Sequence, residues 1–305
     1  MMDLAVQTRG DWELILDVAR WAEDRGLVAI ALPDHYLERG DETERPAYDH
    51  LVHLAALARE TTKIDLVSLL SPVTFRHPAV YYKMGVTLDE VSAGRFTMGI
   101  GTGWLDEEFT LFGLPYPDQR TRFELLDECL AYLTAALAPD TAGFDGEHYQ
   151  LSGFDPQPRP RNLRLLVGGG GSKTTPTLAG RYADEFNIYA CTPEQYAGRR
   201  DLAEKTAAEA GRDPGSILFS TACPAVAARK ESDYRRLLAM LAERTRSTPE
   251  HIEQVYEKRG YPHGSGSKAA EMLDGLEEAG CQRFYPQMFL RNPEDFDIIL
   301  DAYRP

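Results

Sequence analysis

The strongest constraint on this chain is an alternation that runs along its whole length, in which short apolar runs are followed by stretches with helical periodicity. Leu4–Val6 reads as a short strand. Residues 12–25 then read as a helix, with Leu14, Ile15, Val18, Ala19, Trp21 and Ala22 on one face. Gly26 stands just past its end, where glycine commonly stops a helix. Further strands are expected over 28–32, 64–70, 96–100, 164–167, 185–189, 217–227 and 283–288. Between them the periodicity predicts helices over 48–60, 78–91, 120–136, 174–182, 193–211 and 268–279. The stretch 231–260 reads as helical and charged, and the tail after Pro293 as helical. Residues 137–162, rich in proline, glycine and aromatics, read as an insertion, and 231–260 as a second excursion.

This repetition predicts a parallel α/β fold. Eight or so units without a break in composition favour a (β/α)8 TIM barrel with insertion segments over a doubly wound sheet. No low-complexity linker divides the chain, so 1–305 is expected to form a single domain. At 305 residues, 43% of them hydrophobic, the chain can bury a core of that size. A net charge of −15 repels nucleic acid and anionic membranes, so neither is expected as a partner, although a local basic pocket for a phosphate stays open. Cys129, Cys191, Cys223 and Cys281 form no C-x-x-C pair and read as reduced thiols. With no signal-like N-terminus and no apolar run of membrane-spanning length, a cytoplasmic location is expected.

In such a barrel the chemistry lies at the C-terminal ends of the strands. The run 28–32 leads into Pro33-Asp34-His35-Tyr36, an acid and an imidazole placed to meet a ligand or move a proton near neutral pH, or else a capped and solvated turn. The run 64–70 carries Ser68 near its end, where a small polar residue lets a flat ring approach the backbone, and continues into Ser71-Pro72-Val73-Thr74-Phe75-Arg76-His77-Pro78. Arg76 and His77 read equally as helix-start chemistry and surface charge. The run 96–100 leads into Gly101-Thr102-Gly103-Trp104, a G-x-G without the third glycine of a dinucleotide fingerprint, since Asp106 stands there. The run 164–167 ends in Gly168-Gly169-Gly170-Gly171-Ser172-Lys173-Thr174 and opens a helix. Successive glycine N–H groups, a helix N-terminus, a hydroxyl and a lysine make a phosphate cradle that is not a Walker A loop. His50-x-x-His53 reads as surface or packing histidine, no metal site being expected. Asp106-Glu107-Glu108 reads as the negative start of a helix.

Taken in order, LPDHY, SPVTFRHPAV, LDEVSAGRFTMGIGTGWLDEEFTLFG, RTRFELLDECL, LLVGGGG and LAGRYADEFN resemble the bacterial luciferase-like superfamily, and within it the coenzyme F420-dependent oxidoreductases. The resemblance covers nearly the whole chain. It implies a barrel with a deazaflavin or flavin ring at the strand ends and a non-proline cis peptide behind the ring, placed by count at Ser68–Leu69. It implies Asp34 and His35 beside the ring and the substrate, with Asp34 steering His35 as proton donor or acceptor. Thr102, Gly103 and Trp104 would line the opposite part of the pocket, and Gly169, Gly170, Gly171 and Ser172 would hold the phosphate, with Lys173 as a further contact. Sugar-phosphate dehydrogenases of this type carry a glutamate just after G-T-G, where this chain has Trp104, which points away from their reaction and towards a hydrophobic or planar small-molecule substrate. The resemblance implies F420 as cofactor, with FMN the alternative; an FMN monooxygenase would use O2 and need a partner flavin reductase. A cofactor-binding barrel without turnover is the third reading. A homodimer is the expected assembly.

Overall fold

The computed structural model describes residues 2–37, 47–153, 156–189, 192–288 and 292–303. Eight parallel strands close on themselves. In chain order they are the split first strand Asp3–Leu4 and Val6–Gln7, then Ala29–Leu32, Asp65–Ser68, Phe96–Gly101, Arg164–Gly169, Glu185–Ile188, Leu218–Pro224 and Arg283–Gln287. The eighth strand pairs with the first, Asp3 with Arg283 and Gln7 with Gln287, which closes the barrel. Every strand run expected from the sequence is present, with ends shifted by one to a few residues.

Eleven helices lie among the described residues: α1 (Trp12–Asp24), α2 (His50–Glu60), α3 (Pro78–Val91), α4 (Asp106–Phe112), α5 (Gln119–Leu137), α6 (Thr174–Tyr182), α7 (Pro193–Glu209), α8 (Glu231–Arg244), α9 (Pro249–Arg259), α10 (Lys268–Glu278) and α11 (Pro293–Tyr303). None is long and apolar enough to cross a membrane. The run expected at 217–227 divides in two. The barrel strand ends at Pro224, which offers the ladder no N–H. Val226–Ala228 then turns away to pair with His263–Ser265. Inside 137–162 the strands Gly143–Asp145 and Gln150–Ser152 form an antiparallel hairpin. Its turn is tied to α5 by the Glu128 carboxylate, which accepts from the backbone N–H groups of Glu147, His148 and Tyr149.

Two apolar clusters divide the interior. The larger packs the strands' outer faces against the helices. The smaller fills the barrel itself with Ala5, Ala29, Ala31, Val67, Leu69, Leu166, Ala222 and Tyr285, with Val28 and Leu70 packed against them. Polar groups close the floor at the strand starts. Arg283 donates to Glu185 at 3.2 Å, Tyr285 donates to the other Glu185 oxygen at 3.0 Å, and Arg164 donates to Asp65 at 2.8 Å. Burial pushes the Glu185 carboxyl above its ordinary range. A closed, ion-paired floor leaves the C-terminal mouth as the open end. Cys129, Cys223 and Cys281 are free and buried, and burial pushes the Cys129 thiol up to about 12, so it is a packing residue rather than a nucleophile. Cys191 lies outside the described residues.

Candidate active site

The second strand delivers Asp34 to the mouth almost completely buried, with 1% of its side chain exposed. A lone carboxylate there would be costly, and the neighbouring loop meets that cost. Ser71 donates its hydroxyl to Asp34 Oδ2 at 2.5 Å, and Arg76 donates to the same oxygen. The second guanidinium nitrogen of Arg76 donates to Asp49 at 2.7 Å, while the other Asp49 oxygen caps α2 by accepting from Leu51 and Val52. Arg76 therefore ties the ends of the second and third strands to the start of α2. Against the desolvation that would raise it, His50 and Arg76 hold the Asp34 carboxyl far below its usual range.

His50 stands on the far side of the same carboxylate. Its Nδ1 lies 3.1 Å from Asp34 Oδ1, within ion-pair range but off the line a hydrogen bond needs, so both atoms lack a hydrogen bond among the described residues. Its Nε2 lies 2.7 Å from Ser68 Oγ, which lies 3.1 Å from the Tyr81 hydroxyl, which in turn donates to Gly99 O at 2.9 Å. Ser68 is fully buried and spends its hydroxyl on this chain behind the strands. That corrects the expectation of Ser68 as a small residue presented to a ring, and of His50 as a bland surface or packing residue. The non-proline cis bond is Leu69–Leu70, one residue later than the count placed it. Leu69 N–H still donates to Leu32 O at 2.9 Å, so the ladder runs one residue past Ser68 before the chain turns. Across the mouth, Gln287 donates to Gln7, and Gln7 donates to the Leu69 carbonyl, both at 2.6 Å.

Asp34 does not steer His35, as the resemblance implied, because both its oxygens face Ser71, Arg76 and His50. The carboxylate that meets His35 is Glu108, from the acidic first turn of α4. His35 Nδ1 lies 3.2 and 3.3 Å from the two Glu108 oxygens, and Tyr36 N–H donates to Glu108 at 2.9 Å. Glu108 is fully buried and the His35 side chain is 22% exposed, so a hidden acid holds a partly open imidazole. Donation from Nδ1 to Glu108 leaves Nε2 as the nitrogen with a lone pair for chemistry. Trp104 is 59% exposed and meets His35 edge-on at 5.7 Å, which places it at the rim. Gly103 sits before it at a φ of 74°, a left-handed conformation suited to glycine, packed between Pro72 and Phe109; Thr102 is half-buried on the same turn.

Replacing Glu108 by glutamine tests this pairing. The amide can still accept from Tyr36, but its NH2 group would face His35 Nδ1 and select the wrong tautomer. Turnover is expected to fall about 10²–10³-fold, by the logic of an amide in place of an orienting acid, with little change in thermal melting. Equal loss of activity and of folded protein would reduce Glu108 to a structural role.

The fifth strand carries Gly169, Gly170, Gly171 and Ser172 to the start of α6. Gly169 adopts a φ of 146°, a Cβ at Gly171 would stand 2.4 Å from Thr175 Oγ1, and a Cβ at Gly170 would meet nothing. No side chain caps α6, whose N-cap position is Lys173. An uncapped helix start behind a glycine loop with open space over Gly170 fits a phosphate. At the other side of the mouth Thr8 Oγ1, Asp34 Oδ1 and Thr74 Oγ1 are buried without hydrogen-bond partners among the described residues, as acceptors and donors awaiting a polar ligand would be. The residues present thus fit a phosphate-bearing ring cofactor.

Gly169 to Ser172, Thr102 to Trp104, and Asp34 with His35 therefore share one rim. His50, Arg76, Glu108, Gln7 and Gln287 complete it, and sequence reasoning did not assign them. Among the described residues no group of three or more His, Cys, Asp or Glu side chains could hold a metal.

A profile of the Luciferase-like monooxygenase family matches residues 2–286. The chain is 30% identical over 172 residues to the pyrimidine monooxygenase RutA of Stutzerimonas stutzeri, covering 54% of this chain and 48% of that one. It is 32% identical over 175 residues to an F420-dependent glucose-6-phosphate dehydrogenase of Nakamurella multipartita, covering 56% and 50%. The match thus spans about half the length of these curated relatives. Among solved structures, an F420-dependent secondary alcohol dehydrogenase in complex with an F420-acetone adduct superimposes with a TM-score of 0.80 at 18% identity, covering 100% of this chain and 99% of that one. The EDTA monooxygenase EmoA of Chelativorans sp. BNC1 gives 0.79 at 16% identity, covering 99% and 92%. At these identities the superpositions establish the fold.

Proposed function

The chain belongs to the luciferase-like monooxygenase family, and from that footing we propose that it is an F420-dependent oxidoreductase that moves a hydride between the deazaflavin and a small organic substrate. The observation that carries this reading is the His35–Glu108 pair, a buried acid holding an imidazole at the mouth of a barrel whose opposite rim is an uncapped glycine loop. Gly169, Gly170, Gly171 and Ser172 would hold the phosphate, and Thr102, Gly103, Ser68 and Leu69 would wall the ring. Bound there, the deazaflavin supplies a carbon that gives or takes a hydride, and the protein supplies orientation and electrostatics.

His35 Nε2 takes the proton from a substrate hydroxyl as that carbon is oxidised, or returns it to a carbonyl oxygen in the reverse direction. Glu108 keeps the proton of the neutral ring on Nδ1 and stabilises the imidazolium when His35 is charged. Asp34 is a fixed negative charge whose direction is set by Arg76 and Ser71. Trp104 covers the reacting edge and excludes water. Its place after G-T-G sets this site apart from a sugar-phosphate enzyme and suits an apolar or planar substrate.

The second reading keeps the site and exchanges the cofactor for FMN, delivered reduced by a partner reductase for a reaction with O2. The similarity to pyrimidine monooxygenases, equal in extent to that with F420-dependent dehydrogenases, supports it. Side-by-side fluorescence titrations with F420 and FMN decide between them. F420 is expected to bind at least about tenfold more tightly, a difference of about 1.4 kcal/mol. Tighter FMN binding would hand the site to the second reading, and affinity for neither would end both. With the substrate found by a carbonyl and enone panel, His35→Gln is expected to lower kcat by about 10²–10⁴-fold while leaving cofactor affinity within a few-fold.

A further inference from the structure

Behind His35 lies a second opening that the proposed reaction does not use. It is a small pocket lined on its inner side by Leu32, His35 and His50 and on its outer side by Arg9, Tyr48 and His53. It offers about 30 Å³, room for roughly one water molecule. His50 is 2% exposed and Tyr48 48% exposed, so the pocket spans from the buried network to the surface. His53 stands between the rings of Trp12, at 5.8 Å, and Tyr48, at 5.3 Å, and forms its outer wall. A water there would have polar partners within the pocket wall, as a buried water requires.

We propose that this pocket is a water route by which His35 exchanges its proton with solvent while the cofactor face of the site is covered. The inference rests on the reading of His35 as the proton-transferring group. A cofactor and a substrate stacked at the mouth leave His35 no outlet on that side, and Glu108 occupies its Nδ1. The proton balance is complete. A substrate hydroxyl gives its proton to His35 Nε2 as two electrons leave its carbon with the hydride to the cofactor. The imidazolium passes that proton to the pocket water, which releases it past His53. His35 returns to the neutral state, and one proton leaves per substrate oxidised.

The test reads water access directly and needs no substrate. Protein saturated with F420, or with FMN if that binds better, is held in D2O, and deuterium uptake at the His35 ring Cε1 position is followed by mass spectrometry of its peptide. In the native protein, cofactor binding is expected to slow uptake by no more than about threefold, because water reaches His35 from behind. His53→Trp and Ala47→Phe, which fill the pocket from two sides, are each expected to slow uptake in the loaded protein by about fivefold or more. Cofactor titration of the same samples confirms an intact mouth in each variant. If loading alone stops uptake, or if both filled variants exchange like the native protein, water reaches His35 over the ring face and the proposal is overturned while the site reading stands. If neither cofactor binds, both fall together.

Discussion

Replacing Gly99 by alanine is expected to leave little folded protein. Gly99 lies in the middle of the fourth strand, Phe96–Gly101, whose neighbour on one side is the third strand. A Cβ there would stand 2.0 Å from the carbonyl oxygen of Ser68 and 3.2 Å from the Leu70 Cβ. The first obstacle is backbone, and it cannot yield without opening the pairing of Leu66 with Phe96 and Val67 with Thr97. A cost of about 4 kcal/mol or more is expected, a large part of a typical domain's stability. Soluble yield and a thermal melt by circular dichroism measure it. Gly101→Ala makes the contrast. Its Cβ would meet the Leu70 side chain, with Cδ1 at 2.5 Å, and that side chain can move, so about 1–3 kcal/mol is expected. Adding Leu70→Ala should then recover part of the Gly101→Ala loss, a coupling visible in a double-mutant cycle. A Gly99→Ala protein that melts like the native one would show that the third and fourth strands have slack here.

The same contacts show what the sequence could and could not announce. The glycines of FTMGIG were visible, and glycine at a strand end does suggest close approach of something. The close neighbour at Gly99 is the Ser68 carbonyl, and at Gly101 and Gly168 the Leu70 side chain, which the turn after Leu69 carries into the barrel. A contact between strands separated by tens of residues leaves no local periodicity to read. The strands and helices themselves were legible because each must bury one face, and burial repeats at the period of its own geometry. Asp34, His35 and the glycine loop were legible because they directly follow apolar runs. Glu108 was hidden in an acidic helix start, where the macrodipole already explained it, and only its burial and its contact with His35 give it another role. His50 was hidden likewise, since its i, i+3 pairing with His53 suggested a single helix face while the two rings have different surroundings: His50 is buried against Asp34 and Ser68, and His53 lies between Trp12 and Tyr48. Arg76, read as either helix-start chemistry or surface charge, has 8% of its side chain exposed and joins two acids from different segments.

Removing that arginine is the other change expected to have a large effect. Arg76→Met keeps the length of the side chain and removes the charge that faces Asp34 and Asp49. Asp34 would remain buried with Ser71 and His50 as its remaining partners, and breaking a buried pair from one side costs about 3–5 kcal/mol. For a chain of this size that is a fall in Tm on the order of 10 °C. Arg76→Lys should fall between, since a single ammonium cannot reach both carboxylates as the forked guanidinium does. The dependence on pH separates lost charge pairing from lost packing. In the native protein Asp34 titrates well below its unfolded value of about 3.9, so its contribution to stability is complete above that value and is lost as pH falls towards the depressed folded one. Without Arg76 the folded carboxyl titrates higher, so less of that contribution exists at neutral pH, and what remains is lost at a higher pH on acidification. The native and Arg76→Met stability curves should therefore lie furthest apart near neutrality and converge in acid. A gap that stays constant across that range would mean that Arg76 acts through its aliphatic packing, and Asp34 would then need another source for its charge.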